Sequence, residues 1–384
     1  MANIIEHRND LLGDAYYEVR HETGLTVLVY PKAGYSTSYA VIGTNYGSID
    51  DALKVKGGEE KVLPWGTAHF LEHKLFESEE LDAFERFAET GASANAYTTF
   101  DRTCYLFSCS SNFEKNLEIL LDFVQHPYFT QETVEKEQGI IGQEIRMYLD
   151  EPGWQVLFNL LKSLYHKHPV KVDIAGTEES ISHISADLLY ECYESFYNLN
   201  NMVLACAGNV TVDDVLAICD RCLIQTPEVL VERPDKGEPA DIVQPSIAQE
   251  FAVTIPTFAL GFKETHETPI RSMKERILTD LLMDVVAGET SELYERLLRE
   301  GLIDTGFGYE YFTGPGYATV IFEGRSRDPE QVAEAIKAEV RKLRETRGPR
   351  PVRPPAQDEL RQDGHELQRH RRPRQRPGGR VHER

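Results

Sequence analysis

The chain has 384 residues, a formal charge of −22 and 41% hydrophobic residues. This length exceeds that of one typical domain and predicts two, each large enough to bury its own core. The strongly negative charge argues against a nucleic-acid partner, because phosphate groups are bound by positively charged surfaces.

The compartment expected from the sequence is the cytoplasm, with no membrane partner. No apolar run is long enough to cross a bilayer, and the first twelve residues lack the apolar core of a secretory signal. Without an export signal, the six cysteines are predicted to be buried thiols rather than a disulfide framework. Cys219 and Cys222 form a C-x-x-C pair, but this pair falls within a predicted helix and has no second pair to complete a zinc site.

The first predicted elements are two strands followed by a helix. Apolar and β-branched runs predict strands over 24–30 and 37–46. A loop rich in Gly, Lys and Glu leads to a helix over 67–76, with Pro64 and Gly66 just upstream as entry signals.

This helix carries a histidine pair of the kind found in zinc enzymes. His69 and His73 are four residues apart, so they face the same way from successive turns. Two neutral imidazoles can take two corners of a zinc tetrahedron, and a carboxylate beside the open corner can remove a proton from a zinc-bound water. With Glu72 the order is His-x-x-Glu-His, the inverse of the commoner metalloprotease helix. The alternative is a chance grouping on an ordinary helix face, and the motif alone does not decide between the two.

A possible third ligand comes from a later helix. The pattern predicts a helix over 80–90, a strand over 95–110, and helices over 112–125 and 131–148. The last of these carries Glu137 and Glu144, which are seven residues apart and therefore share one face. A glutamate arriving from a second helix would complete a site of two histidines and one carboxylate with water in the fourth position.

These residues carry a resemblance to a known family. The histidine motif, followed by Glu144 within Gly-Gln-Glu-Ile-Arg-Met, resembles the insulinase/pitrilysin family of inverted-zincin metallopeptidases. The segment 91–98, Gly-Ala-Ser-Ala-Asn-Ala-Tyr-Thr, looks like the substrate-binding edge strand of that family. Segments at 168–169, 176–181 and 201–204 also match its pattern. The chain resembles bacterial half-length, processing-peptidase-like members that work as paired subunits.

The resemblance implies one zinc ion per chain. His69, His73 and Glu144 are the implied ligands, since the later of the two glutamates is the one that binds metal in the family. Glu72 is the implied general base, and Glu137 is implied to support catalysis electrostatically from near the site. The family has a few more residues between the second histidine and the ligand glutamate, so the intervening loops differ.

The resemblance also implies how a peptide substrate binds. Ala94, Asn95 and Ala96 would present their backbone to an extended peptide that adds a strand to the sheet. From the residues alone, an ordinary sheet strand is the simpler interpretation of this segment.

The remaining elements recur in a similar order on either side of a linker. Helices are predicted over 154–165 and 187–197, then a strand over 202–207 and a helix over 213–223. A stretch rich in Pro, Glu, Asp and Gly follows and marks a linker. Beyond it the sequence predicts a strand over 258–263, helices over 272–287 and 291–300, strands over 305–312 and 317–323, and a helix over 329–345.

The predicted domains are therefore 1–225, which carries the zinc site, a linker over 226–246, and a related but incomplete domain over 247–346. The Arg- and Pro-rich tail over 347–384 has almost none of the residues that build a core and is expected to be disordered. A shift of the reading frame near Arg347 is the preferred hypothesis for this tail, and a natural basic tail is the alternative.

The predicted fold is α+β. The resemblance implies two related domains, each a mixed, mainly antiparallel sheet packed with helices, which together form half of a clam-like chamber. It implies a zinc-dependent endopeptidase that hydrolyses peptides or unfolded segments, with a zinc-bound water activated by Glu72, and a homodimer or a heterodimer with a related subunit. The alternative is a non-catalytic or inactive peptide-binding or assembly subunit of a paired peptidase. Zinc with a purely structural role is disfavoured, because structural sites close all four positions.

Overall fold

The computed structural model describes residues 3–79, 81–265 and 270–346. The predictions made for the tail over 347–384, its disorder and its shifted reading frame, lie outside the described residues. No helix in the described part of the chain has the length and apolar character needed to cross a membrane. All six cysteines are free thiols, and five of them are buried, as predicted.

The strands are numbered in chain order. They are β1 Ile4–Asn9, β2 Asp14–Arg20, β3 Thr26–Pro31, β4 Ser38–Thr44, β5 Ala52–Leu53, β6 Lys61–Val62, β7 Ser93–Thr98, β8 Thr103–Cys109, β9 Met202–Gly208, β10 Thr257–Lys263, β11 Gly308–Gly314 and β12 Tyr317–Arg325.

The helices are numbered in the same way. They are α1 Thr67–Leu75, α2 Ala83–Thr90, α3 Phe113–Gln125, α4 Gln131–Leu149, α5 Pro152–Leu164, α6 Glu178–Ile181, α7 Ala186–Phe196, α8 Val212–Cys222, α9 Met273–Ala287, α10 Glu292–Arg299 and α11 Pro329–Thr346.

The larger sheet has seven strands in the order β1-β2-β3-β9-β4-β8-β7. Its pairs are antiparallel except for β3 with β9, which run parallel. The predicted α+β fold with a mixed, mainly antiparallel sheet is confirmed. The sequence did not predict the hairpin β1–β2, because β1 is largely exposed and lacks an apolar alternation.

The single strand predicted over 95–110 is wrong, because the chain folds there into two strands, β7 and β8. The backbone N–H of Thr99 donates to the carbonyl of Arg102 at 2.8 Å, which closes a tight turn. The hydroxyl of Thr99 also donates to the carboxylate of Asp101 at 3.0 Å. Thr98 and Thr103 then pair across the hairpin, and β7 becomes the edge strand of the sheet.

The segment between α8 and β10 is tethered despite its lack of regular structure. Glu238 accepts hydrogen bonds from the backbone N–H groups of His166, Lys167 and His168 at 2.7–2.8 Å. The ammonium group of Lys263, at the end of β10, lies 2.7 Å from the same carboxylate. The partly buried carboxylate of Glu238 therefore connects the linker both to the loop after α5 and to the smaller sheet.

The smaller sheet has the order β10-β12-β11 and is antiparallel. Gly261 of β10 lies against α5 so closely that a Cβ there would be 2.9 Å from methyl groups of Leu160 and Leu164. Side chains of α5 and β12, including Leu161 and Tyr317, share one core cluster. The helix α5 thus joins the smaller sheet to the preceding part of the chain.

The predicted recurrence of elements is confirmed. We call β4, α1, α2, β7, β8 and α3 the first repeat, and β10, α9, α10, β11, β12 and α11 the second repeat. The strands of the first repeat are ordered β4-β8-β7 and those of the second β10-β12-β11, so corresponding strands occupy corresponding positions.

Candidate active site

The start of α1 is set by a close approach of two loops. Gly66 has φ +89°, and a Cβ at this position would lie 2.3 Å from the carbonyl oxygen of Ala175. The hydroxyl of Ser180 donates to the carbonyl of Trp65 at 2.8 Å, which holds the same two loops together. The segment 176–181, which the sequence pointed to through the family resemblance, therefore positions the helix that carries the histidines.

His69 and His73 face one carboxylate from the next layer of helices. Nε2 of His69 lies 3.8 Å from Oε2 of Glu144, and Nε2 of His73 lies 3.6 Å from the same atom. The imidazole centroids are 4.5 Å apart. Because α4 packs against α1, the three side chains converge although Glu144 comes 71 positions after His73.

The geometry of these three groups fits a zinc ion. Two ligands bound at 2.0–2.1 Å in a tetrahedron lie about 3.3–3.4 Å apart, close to the two separations in this site. Burial and the neighbouring His73 lower the pKa of His69 to about 3, so this imidazole is neutral and its lone pair is available near neutral pH. The ligand atoms of the three residues all lie within 4.8 Å of one another.

Glu137 lies behind His73 on the side away from Glu144. Its Oε1 accepts a hydrogen bond from Nδ1 of His73 at 2.9 Å, which leaves Nε2 as the free nitrogen. Burial opposes the charged form of His73, but the hydrogen bond to Glu137 and the surrounding carboxylates outweigh it and raise the pKa. Glu137 therefore contacts the group of ligands through His73. Nδ1 of His69 is buried and has no such partner within the described residues.

Glu72 is held beside the same group of ligands. It is 9% exposed, and burial raises the pKa of its carboxyl group. The hydroxyl of Thr98 donates to its Oε2 at 2.7 Å. Since Thr98 ends β7, the carboxylate of Glu72 is anchored directly to the edge strand.

The edge strand β7 has one hydrogen-bonding edge that pairs with no other strand of the described ranges. Ala94 and Ala96 face inward and pack on the core, whereas Asn95 and Tyr97 point to the exposed side. The N–H of Ala96 donates to Oδ1 of Asn95 at 2.9 Å, so a side chain takes the place that a neighbouring strand's carbonyl would occupy. The three residues predicted to bind substrate therefore lie in an accessible edge strand.

A cleft of about 260 Å³ brings these elements together. Its walls come from α1, β7, α4, the start of α5 and the loop before α6. The lining residues are His69, Glu72, His73, Ala96, Tyr97, Thr98, Glu144, Tyr148, Trp154, Asp173, Ile174 and Ala175.

Three side chains of this cleft were not predicted from the sequence. Tyr148 lines the cleft together with Glu144, and its ring stacks on that of Trp154 with centroids 4.7 Å apart. The indole N–H of Trp154 in turn donates to Asp173. Helical spacing could have pointed to Tyr148, which is four residues after Glu144. No local signal connects Trp154 or Asp173 to the site.

Comparisons with known proteins agree with this geometry. The family model of insulinase (peptidase family M16) matches residues 44–178, and that of the peptidase M16 inactive domain matches residues 183–351. The uncharacterized zinc protease YmfH of Bacillus subtilis is 42% identical over 331 residues, which are 85% of this chain and 77% of YmfH. An uncharacterized zinc protease of Rickettsia felis is 27% identical over 340 residues, covering 84% of this chain and 77% of the relative.

Solved structures show the same architecture. An M16-like peptidase from Alicyclobacillus acidocaldarius superposes with a TM-score of 0.83 at 36% identity, over 90% of this chain and 79% of the other. A protease from Helicobacter pylori superposes with a TM-score of 0.76 at 19% identity, over 93% of this chain and 85% of the other. The second likeness supports the fold alone.

Proposed function

Because this chain belongs to the insulinase family of peptidases, family M16, we propose that it is a zinc-dependent endopeptidase that hydrolyses peptides or unfolded segments. One observation carries the proposal. The free nitrogens of two histidines and a carboxylate oxygen of Glu144 converge beside the buried carboxylate of Glu72, next to an open sheet edge.

The residues that would hold the zinc ion are His69, His73 and Glu144. A zinc ion bound there would polarise the scissile carbonyl as a Lewis acid and make water more acidic. His69 contributes a neutral imidazole because its pKa is low. Glu137 fixes the ring of His73 so that Nε2 faces the other ligands.

Glu72 is proposed as the general base and then the general acid. It would take a proton from the attacking water as the oxygen bonds to the scissile carbon. It would return that proton to the amine as the carbon–nitrogen bond breaks, so the carboxylate is regenerated. Burial raises the pKa of Glu72, which makes it a stronger base than an exposed glutamate, and the hydrogen bond from Thr98 holds it in place.

The substrate is proposed to bind as an added strand along β7. The backbone of Ala94, Asn95 and Ala96 would pair with an extended peptide. A substrate carbonyl would then replace Oδ1 of Asn95 as the acceptor for the N–H of Ala96. Only an unfolded or loosely structured segment can offer a backbone free for such pairing.

We further propose that the chain works as one half of a pair, either as a homodimer or with a related subunit, in the cytoplasm. The domain boundaries proposed for it are 1–225, 226–246 and 247–346. In the part of the chain that the structure describes, a single group of potential metal ligands lies beside the edge strand β7, which is what a half-chamber would contribute.

The test is the zinc content of the purified chain after dialysis against metal-free buffer, together with its hydrolysis of an unfolded protein. We expect about one zinc per chain, a large loss of zinc in Glu144→Gln, and full zinc with at least a 100-fold loss of turnover in Glu72→Gln. Glu135→Gln makes the same chemical change at an exposed position of α4 and should alter neither property.

Two results would overturn the proposal. A wild-type chain without zinc would show that the three ligands do not assemble a site. Zinc without turnover in the wild-type chain, alone and paired, would favour a peptide-binding or assembly subunit instead.

A further inference from the structure

The turn between β7 and β8 places an aromatic side chain in the core of the smaller sheet. Phe100, at the tip of this turn, packs against the cluster that contains side chains of α5 and β12. Its ring meets that of Phe312 in β11 edge-to-face with centroids 5.3 Å apart, and that of Tyr317 in β12 at 6.1 Å. The end of the edge strand is therefore attached to the second repeat.

The backbone of the same turn is bound to the loop after β4. The N–H of Ile49 donates to the carbonyl of Phe100 at 3.0 Å. Gly47 approaches so closely that a Cβ there would lie 2.5 Å from the carbonyl oxygen of Phe100. The tip of the turn is thus held to the first repeat by its main chain and to the second repeat by the Phe100 ring.

The aromatic wall of the cleft is attached to the same cluster. The ring centroid of Phe158, in α5, is 6.4 Å from that of Phe100 and 5.3 Å from that of Trp154. Trp154 in turn stacks on Tyr148, and both line the cleft together with Ala96 of β7. One aromatic cluster therefore connects the two sides of the cleft between which an extended peptide would lie.

The position of β7 depends on how its ends are held, because an edge strand has neighbours on one side only. Among the described strands β7 pairs with β8 alone. Its last residue, Thr98, is two positions before Phe100 and carries the hydroxyl that donates to Glu72. A cluster that fixes Phe100 therefore fixes the strand proposed to pair with substrate.

We propose that Phe100 is a positioning residue for substrate binding, through which the second repeat fixes the distance between β7 and the aromatic wall of Tyr148 and Trp154. The second repeat then contributes to peptide binding, although Phe312 and Tyr317 are not among the residues that line the cleft in the described part of the chain. Without this anchor β7 would fluctuate, and ordering it for each peptide would reduce the affinity. The inference rests on the proposed function, in that substrate pairs with β7, but not on the zinc chemistry.

The first experiment measures the affinity of the full chain for fluorescein-labelled casein, an unfolded protein, by anisotropy. All chains carry Glu72→Gln so that the probe is not consumed. Phe100→Ala and Phe312→Ala should each weaken binding about fivefold, with zinc content unchanged because α1 and α4 stay in place. The matched control is Phe258→Ala, which removes a ring from β10 of the same sheet, where it stacks on Phe307, and should leave the affinity unchanged.

The second experiment is a double-mutant cycle. If the two rings act as one contact, the combined Phe100→Ala and Phe312→Ala variant should bind casein about as well as the weaker of the two single variants, whereas independent effects would multiply. Amide hydrogen exchange within β7, measured without casein, should be faster in all three variants and unchanged in Phe258→Ala. Phe100→Leu keeps an apolar side chain without the ring, and it should show a smaller loss of affinity even if Phe100→Ala fails to fold.

The outcomes separate this inference from the proposed catalysis. Unchanged affinity in Phe312→Ala, an equal loss in Phe258→Ala, or losses that multiply in the cycle would overturn the role of Phe100, whether or not the chain hydrolyses casein. A chain that holds zinc but binds no casein would overturn it as well. A chain that binds casein with the expected losses, but neither holds zinc nor hydrolyses casein, would reject the peptidase and leave the positioning role standing.

Discussion

The helices α1 and α9 occupy corresponding places in the two repeats, yet their surroundings differ. α4 and α7 enclose α1, and His69 is only 12% exposed on its side chain. None of the described residues covers the outer side of α9, and α9 contains neither histidine nor a buried carboxylate. This comparison shows that the repeated order of helices and strands provides a scaffold but does not by itself provide a metal site. The candidate site arises where a covering helix lowers the solvation of the imidazoles and brings a third ligand to them.

The largest difference between the two helices should be in stability, when one leucine of each helix is replaced by alanine. Leu75→Ala, at a fully buried position of α1, should lower the free energy of unfolding by about 3 kcal/mol through lost burial and a cavity. Leu278→Ala in α9 should change it by no more than about 0.5 kcal/mol in the monomer. Urea unfolding of dilute protein, followed by tryptophan fluorescence, measures both. Similar losses would show that α9 is covered in solution even at low concentration.

The second comparison is between the residues at which α1 and α9 begin. Gly66→Ala should cost about 2–3 kcal/mol, because the residue has φ +89° and its Cβ would meet the carbonyl of Ala175. Zinc content should fall with it, since α1 must shift. Ser272 caps α9 through a reciprocal pair of hydrogen bonds with Glu275, so Ser272→Ala should cost about 1 kcal/mol and leave zinc content unchanged. A loss of zinc in Ser272→Ala would contradict this separation of the two repeats.

Glu238, which tethers the linker between the repeats, should make stability depend on pH. Burial opposes its ionisation, but Lys263 and three backbone N–H groups outweigh burial and lower the pKa to about 2. Because the folded pKa lies below the unfolded value of about 4.3, the carboxylate stabilises the fold above that pH and loses this effect as the pH falls towards 2.

The variant Glu238→Gln tests this pH dependence, because it removes the charge of the side chain and nearly keeps its shape. It should be about 2 kcal/mol less stable than the wild type at pH 7, and the difference should narrow steadily below about pH 4.5. Unfolding curves of both proteins across this pH range measure the difference between their free energies of unfolding. The contributions of all other titrating groups cancel in this difference. If the difference in the free energy of unfolding did not depend on pH, Glu238 would stabilise the fold by packing rather than by its charge.

The last comparison concerns the orientation of His73 and is read in zinc affinity rather than in stability. Glu137→Gln should weaken zinc binding about 10- to 100-fold, because an amide orients the imidazole less strongly than a carboxylate does. Competition with a chelator measures this affinity, and the fold should be unchanged. Glu135→Gln, on the exposed side of the same helix, is the control. An equal loss in both variants would indicate a general effect of charge on α4.

The sequence by itself determined the α+β class, most helices and the pairing of His69 with His73. These features depend on local periodicity, since helical geometry places residues four apart on one face wherever the helix lies. The recurrence of elements after the linker could be predicted for the same reason. The choice of Glu144 over Glu137 as ligand came from the family resemblance, because helical spacing gives both residues one face.

Only the tertiary structure decided which groups meet across the fold. The turn over 99–102 splits the predicted strand and makes β7 an edge, and Thr98 reaches Glu72 only because β7 and α1 pack together. The contact of Tyr148, Trp154 and Asp173 likewise depends on packing between segments far apart in the chain. Contacts of this kind are set by the arrangement of whole elements, which a local pattern of residues does not encode.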